Sequence, residues 1–482
     1  MIRLIVNGKV LNALKVAAPK EGKAEGYLAK YVANLEQEVN QRLLQTRTLP
    51  MIRSSHYYAS LTTVQEKGGQ IWSLGNLRVH KWLADSKLAL VDQVNKGQAN
   101  NITGDIAIIK FTNLVEVVDV ESVDSLTQLN DVELDQYLQA VPAAEIALYQ
   151  SLLTPLLQAH AVGEVDLLTV DQDATIDYVK RVVRSANLKA KDQTEYRKAL
   201  RILRIAQLNQ GRFPQIKRKS LFGRTYYEGV SIQSVQKDLR KAILHGCYEY
   251  DVKSSVISWK YAFANQFLAS VGKGATDEQE FWAIYYYLTY KKEYFDNLQS
   301  KVFDLNCGWD DLKQKSKLKE ALTALSFGAK LADATWKSAS GKDEQSSLAK
   351  IFPNSYIEER KRFLGAAEVV AFKRQQAKLD AFVVNKFISQ YPFLSAMPEL
   401  QTKTGRRSNS KVLAWLYQHA ETILMNIVRS ELKQCGIYIR ANIHDAIVVD
   451  RKLTLAEKSS IESAVRQRTG VLLFELGETL YQ

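Results

Sequence analysis

The sequence predicts an α+β chain in which helix-rich stretches separate short strands that meet in an antiparallel sheet. Three observations carry this. Strand-like segments recur far apart, around Tyr248-Glu249-Tyr250-Asp251-Val252 and again within 437–450, with mostly helical periodicity between them. Arg440-Ala441-Asn442-Ile443-His444-Asp445-Ala446-Ile447-Val448-Val449-Asp450 reads as two apolar strands joined by a tight turn. The apolar share, 46%, and the aromatic share, 10%, supply packed cores and exclude a disordered chain.

With 482 residues the chain divides into two or three domains. Residues 1–179 read as a mixed N-terminal domain without an assigned role. It has a strand at 2–6, a helix at 26–45, a strand at 105–109 and helical periodicity over 132–161. Asp171-Gln172-Asp173 reads as an acidic loop before a helix, not as part of a proofreading exonuclease. Composition turns over at Lys180, where the main boundary is expected, and spacing over 196–204 puts a basic face on an amphipathic helix. From 251 to 482 the pattern gives helices at about 277–305, 311–331, 354–391 and 410–435. A strand at 437–442, a strand at 446–450, a helix at 455–469 and a last strand at 471–476 follow.

Charge is unevenly placed. The net is +13, yet residues 111–178 hold thirteen acids and no Lys or Arg, so the rest of the chain carries a net of +26. Between Lys180 and Lys241 lie seventeen Lys or Arg against four acids. Such an excess suits a polyanion bound through phosphate contacts and counterion release; a soluble basic protein without such a partner is the plainer alternative. The acidic segment 111–179 reads first as a solvated helical face. Repulsion of nucleic acid from one side and docking of a basic protein partner are the other options.

Cys247, Cys307 and Cys435 fit no metal-binding spacing and read as reduced thiols of a cytoplasmic protein. The opening Met1-Ile2-Arg3-Leu4 resembles a strand more than a signal peptide, and no apolar run of membrane-spanning length is expected.

Chemistry is signalled by two carboxylates. Asp445, at a hairpin tip between β-branched residues, suits a divalent cation, and Asp251 is a second strand carboxylate far upstream. On the helix 311–330, Lys315, Lys319, Thr323 and Phe327 recur every four residues, followed by Gly328. Taken in isolation that pattern reads first as a solvated lysine stripe, and a grip on a triphosphate with a stacked base is the other option.

Taken in order, these motifs resemble the superfamily that joins family A DNA polymerases to single-subunit phage and mitochondrial RNA polymerases, over residues 220–482. Ser220-x-x-Gly223-Arg224 is similar to the T/D-x-x-G-R motif that contacts template and nascent duplex, with Tyr226, Gln233, Lys237 and Arg240 close behind it. Asp251 resembles the motif A metal ligand, with the Val252 carbonyl beside it. Lys315-x3-Lys319-x7-Phe327-Gly328 is similar to motif B, R-x3-K-x7-Y-G. Asp445 resembles the motif C ligand, with His444 its usual neighbour. Gln418 is similar to a glutamine that touches the primer-template minor groove.

The resemblance implies a right-hand polymerase (palm, fingers, thumb) with an antiparallel palm sheet. Residues 180–250 would lead from thumb to palm, and 251–482 would form palm and fingers. Asp251 and Asp445 would hold two Mg²⁺ ions, and Lys319 would contact the incoming phosphates and protonate the leaving pyrophosphate. Partners would be a DNA template, an RNA or DNA product and nucleoside triphosphates.

Two departures bear on the sugar. Val256 stands where family A DNA polymerases carry a glutamate that blocks the ribose 2′-hydroxyl, which favours a DNA-directed RNA polymerase. Phe327 replaces the tyrosine that helps RNA polymerases sense the sugar, and the compact ending Leu473-Phe474-Glu475-Leu476-Gly477 resembles bacterial DNA polymerase I. Lys315 in place of arginine loses bidentate phosphate binding. A DNA polymerase without proofreading and a non-catalytic nucleic-acid-binding accessory protein are the alternatives.

Overall fold

A central sheet of four short strands organises the computed structural model, which describes residues 2–18, 23–45, 56–95, 107–120, 122–185, 190–218, 224–304, 307–329, 335–337, 343–402 and 404–482. The strands are β1 (Tyr248–Val252), β2 (Ile439–Ile443), β3 (Ala446–Val449) and β4 (Leu476–Leu480). They lie in the order β2-β3-β1-β4, and every neighbouring pair is antiparallel. In this register Asp251 faces Ala446 on one side and Gly477 on the other. The chain as a whole is helix-rich with small antiparallel sheets, an α+β arrangement.

Alternation along these strands sends neighbouring side chains into different cores. Ala441, Ile443, Ala446 and Val448 join a core built from residues 123–244. Tyr250, Val252, Ile447, Val449 and Leu476 join another, formed with two later helices. All four residues of β3 are buried, as a strand covered on both faces requires.

The cores divide the chain differently from its composition. Residues 2–115 pack among themselves, whereas 123–183 share one core with 196–244. The jump in charge at Lys180 therefore lies inside a packed unit. The reason is complementarity: Arg184 pairs with Asp131 at 2.8 Å and Lys217 with Asp166 at 2.7 Å, and Lys180–Asp135 and Arg197–Asp119 are further pairs. Acids of the 111–178 stretch are thus engaged by cations of the segment that follows.

The expected basic face on helix α1 (Ala190–Leu208) is corrected by the same packing. Arg201 and Arg204 are fully buried and Lys198 nearly so. Arg204 donates to the carbonyls of Tyr137 and Ala140, each at 2.7 Å, and stands 4.5 Å from the Tyr137 ring centroid. Lys198 donates to Glu195 and to the Ser234 carbonyl. Arg204 and Lys198 thus face carbonyls and a carboxylate of the protein, and all three cations are buried away from any surface offered to nucleic acid.

Five further helices frame the sheet: α2 (Ser255–Tyr261), α3 (Lys291–Val302), α4 (Asp311–Ser326), α5 (Asn409–Gln434) and α6 (Leu455–Thr469). Side-chain caps fix where several begin. Asp310 accepts from the Lys313 N–H ahead of α4, and a Thr454/Glu457 capping box starts α6, which ends at Gly470 with φ +73°.

Several boundaries differ from expectation. The stretch 277–305 holds three helices, Asp277–Glu280, Trp282–Thr289 and α3; 354–391 breaks near Ala366 into Ile357–Gly365 and Ala367–Gln390. The 105–109 strand is observed as Ala107–Phe111, and residues 105 and 106 lie outside the described residues. The last strand is Leu476–Leu480 rather than 471–476. Val471 and Phe474 are buried as anchors of a turn while Leu472 is exposed. Contrary to expectation, Asp131–Ala161 is long and apolar enough to cross a membrane by length and composition alone. It is broken at Ala140 into Asp131–Gln139 and Ala143–Ala161, and Leu134, Leu138, Tyr149, Leu152 and Leu153 pack in the core.

Candidate active site

Asp251 is the penultimate residue of β1, and Asp445 sits in the two-residue turn joining β2 to β3. The turn is possible because His444 takes the left-handed conformation, φ +53°, which histidine tolerates better than a β-branched residue would. The Val252 N–H donates to the Asp445 carbonyl at 3.1 Å, binding the turn to the end of β1. Since a strand residue directs its N–H and C=O to the same side, the Val252 carbonyl faces that turn as well. On the other flank a Cβ at position 477 would overlap Oδ1 of Asp251, so any residue but glycine would make the carboxylate shift from its present position.

Both carboxylates line one cleft of about 730 Å³. Burial raises the Asp445 carboxyl above the usual aspartate range; the Asp251 and Glu249 carboxylates push the same way, and Arg224 opposes them. A cation arriving between Asp251 and Asp445 would relieve this repulsion. Among the described residues no group of three or more His, Cys, Asp or Glu is placed to hold a metal. Two carboxylates and a carbonyl still suit Mg²⁺, which keeps waters and substrate oxygens in its shell.

The opposite wall comes from α4. Lys319, Thr323, Ser326 and Phe327 line the cleft, and the Phe327 ring is 57% exposed there. Lys315 is absent from that lining; it pairs with Asp296 of α3 at 2.8 Å. Gly328 has φ +83° and lines an adjoining pocket of about 290 Å³. Val256, on α2, lines both spaces. His444 is placed beside the cleft, against the Tyr226 ring at 5.5 Å.

The residues resembling nucleic-acid contacts are divided. Ser220 and Gly223 lie outside the described residues. Arg224 is turned inward, paired with the buried Glu421 of α5 and donating to the Tyr226 hydroxyl at 3.2 Å. Gln233 donates to the carbonyls of Thr225 and Asn442, so it braces the β2 edge, and Arg240 donates to that of Ile232 at 3.2 Å. Lys237 is exposed at the start of the helix Lys237–Ile243. Gln418, on α5, holds its Oε1 buried without a hydrogen-bond partner. Asp171 caps the helix Gln172–Val183 through the Ala174 N–H, which agrees with its reading as a loop before a helix.

Sequence reasoning missed four residues. Glu421 is almost completely buried, and burial raises its carboxyl while Arg224 opposes the rise. Tyr417, one turn earlier on α5, donates to Ser255 at 2.7 Å and lines the cleft. Lys291, the first residue of α3, enters the cleft, and burial lowers its ammonium pKa with Lys319 and Lys253 adding to the effect. Ser254 has φ +50° and accepts from Lys291 at 2.8 Å. Glu421 lies three residues beyond Gln418, a helical spacing that offered a faint signal; Lys291 offered none.

No protein-family model matches the chain, and no curated protein matches it. Among solved structures it is similar to the POL domain of Pol1 from M. smegmatis in complex with DNA primer-template and dNTP. That likeness has 12% sequence identity and a TM-score of 0.36 over 74% of this chain. It covers 65% of that chain, under two thirds of its length.

Proposed function

We propose that this chain is a template-directed nucleotidyltransferase of right-hand build, with its palm on the four-stranded sheet and its fingers carrying α3 and α4. One observation carries the reading: Asp251 on β1 and Asp445 in the turn beside it share a cleft with Lys319 and an exposed aromatic ring. Asp251, Asp445 and the Val252 carbonyl would hold two Mg²⁺ ions, which supply activation of a 3′-hydroxyl and charge neutralisation on a triphosphate.

The protein's own groups account for the remaining steps. Phe327 offers a face on which the incoming base stacks. Lys319, which lines the same cleft, would contact the phosphates and pass a proton to the departing pyrophosphate oxygen. Gly477 leaves the Asp251 carboxylate free to point into the cleft. The remaining basic surface suits a DNA template.

Val256, apolar and without a carboxylate to block a 2′-hydroxyl, supports DNA-directed RNA synthesis. DNA synthesis is the second reading, supported by Phe327 in place of tyrosine. Extension of a primed DNA template with rNTPs and dNTPs supplied separately tests both. Mg²⁺-dependent incorporation that disappears in Asp445→Asn is the expected result. DNA binding without incorporation of either substrate would leave a non-catalytic accessory protein as the reading.

A further inference from the structure

The cleft holds a cation that no motif accounts for. Lys291 lines it together with Lys319, and among the described residues neither forms an ion pair. Lys291 is instead anchored by neutral groups. Its Nζ donates to Ser254 Oγ at 2.8 Å and stands 5.4 Å from the Tyr287 ring centroid. A lysine held in place by neutral groups has no ion-pair partner to give up before it meets an incoming anion. Lys291 is also the first residue of α3, so the N-terminal end of a twelve-residue helix adds positive potential on the same side.

The same helix removes the other candidate. Lys315, where the motif has arginine, is held by Asp296, five residues further along α3. Helix α3 thus presents its own cation to the cleft while engaging the one on α4 outside it. Resting on the nucleotidyltransferase reading, we infer that Lys291, and not Lys315, is the second polyphosphate-binding cation, acting with Lys319 on the incoming nucleotide. Ser254, in its left-handed conformation beside Val252, positions it.

The test compares wild type with Lys291→Ala, Lys291→Arg, Ser254→Ala and, as a control outside the cleft, Lys313→Ala. Steady-state incorporation and calorimetric binding of inorganic tripolyphosphate to the full chain are the two readouts. Loss of a charge-assisted contact should raise the nucleotide KM of Lys291→Ala by about ten- to hundredfold with a much smaller change in kcat. Lys291→Arg should recover most of that loss, Ser254→Ala should show a smaller rise, and Lys313→Ala should match wild type. Tripolyphosphate affinity should fall in parallel.

Wild-type KM in Lys291→Ala, with incorporation intact, would overturn the assignment and leave the polymerase reading standing. If wild type incorporates no nucleotide, the polymerase reading fails and tripolyphosphate decides alone. Binding lost in Lys291→Ala retains Lys291 as an anion site, whereas binding unchanged, or absent from wild type, overturns it.

Discussion

Gly477 lies flat beneath the carboxylate of Asp251, so close that a methyl group would occupy the space of Oδ1. Its φ is not positive, so alanine meets no backbone strain there and its effect falls on the neighbour. Gly477→Ala should therefore fold with a circular dichroism spectrum like wild type while incorporation drops by about a hundredfold, as displaced catalytic groups cause. Unchanged incorporation would show that the Asp251 carboxylate does not need this position.

The Arg224–Glu421 pair sets a pH dependence. Burial raises Glu421, and Arg224 opposes the rise. Without Arg224 the folded-state pKa climbs further above the unfolded value, so the folded protein binds the extra proton. Stability is then retained at low pH and lost as pH rises through the folded value. Arg224→Ala should cost about 3 kcal/mol or more near pH 8 and clearly less near pH 5, read by urea denaturation. Adding Glu421→Gln should flatten the difference.

Phe327 exposes its ring to the cleft. Phe327→Ala should raise the nucleotide KM roughly five- to hundredfold, the usual worth of base stacking, with the melting temperature nearly unchanged. A fall in stability with KM intact would assign the ring to packing.

Arg204 is buried against the carbonyls of Tyr137 and Ala140. Arg204→Met should destabilise by about 2–4 kcal/mol through the acceptors left behind. The salt dependence of DNA affinity should stay as in wild type, because this guanidinium reaches no phosphate. A shallower slope would return α1 to the nucleic-acid surface.

What was legible in the sequence was local. The β2–β3 hairpin was readable because its apolar strands flank two turn residues, and α6 because Thr454, Glu457 and Gly470 mark both ends. The last strand was displaced because 471–474 is apolar enough for a strand, yet β1 offers its free edge to 476–480. Arg201 and Arg204 defeated the periodicity argument. Helical spacing shows which residues share a face, but not that carbonyls seventy positions away will satisfy a buried guanidinium. At the site, Asp251, Asp445 and Lys319 were visible as motif members. That Lys291 lines the cleft while Lys315 pairs with Asp296 was not, because it depends on how α3 lies against α4.

The order β2-β3-β1-β4 also bears on how the protein is made. Tyr250 donates to Glu478, 228 positions later, so the two flanks of Asp251 come together only after every intervening helix has been synthesised. Sheets closed by such distant partners assemble slowly, since the loop must be ordered before pairing rewards it. Until then the nascent chain leaves an edge of β1 uncovered, which makes the interval before β4 docks the period of greatest exposure to misassociation.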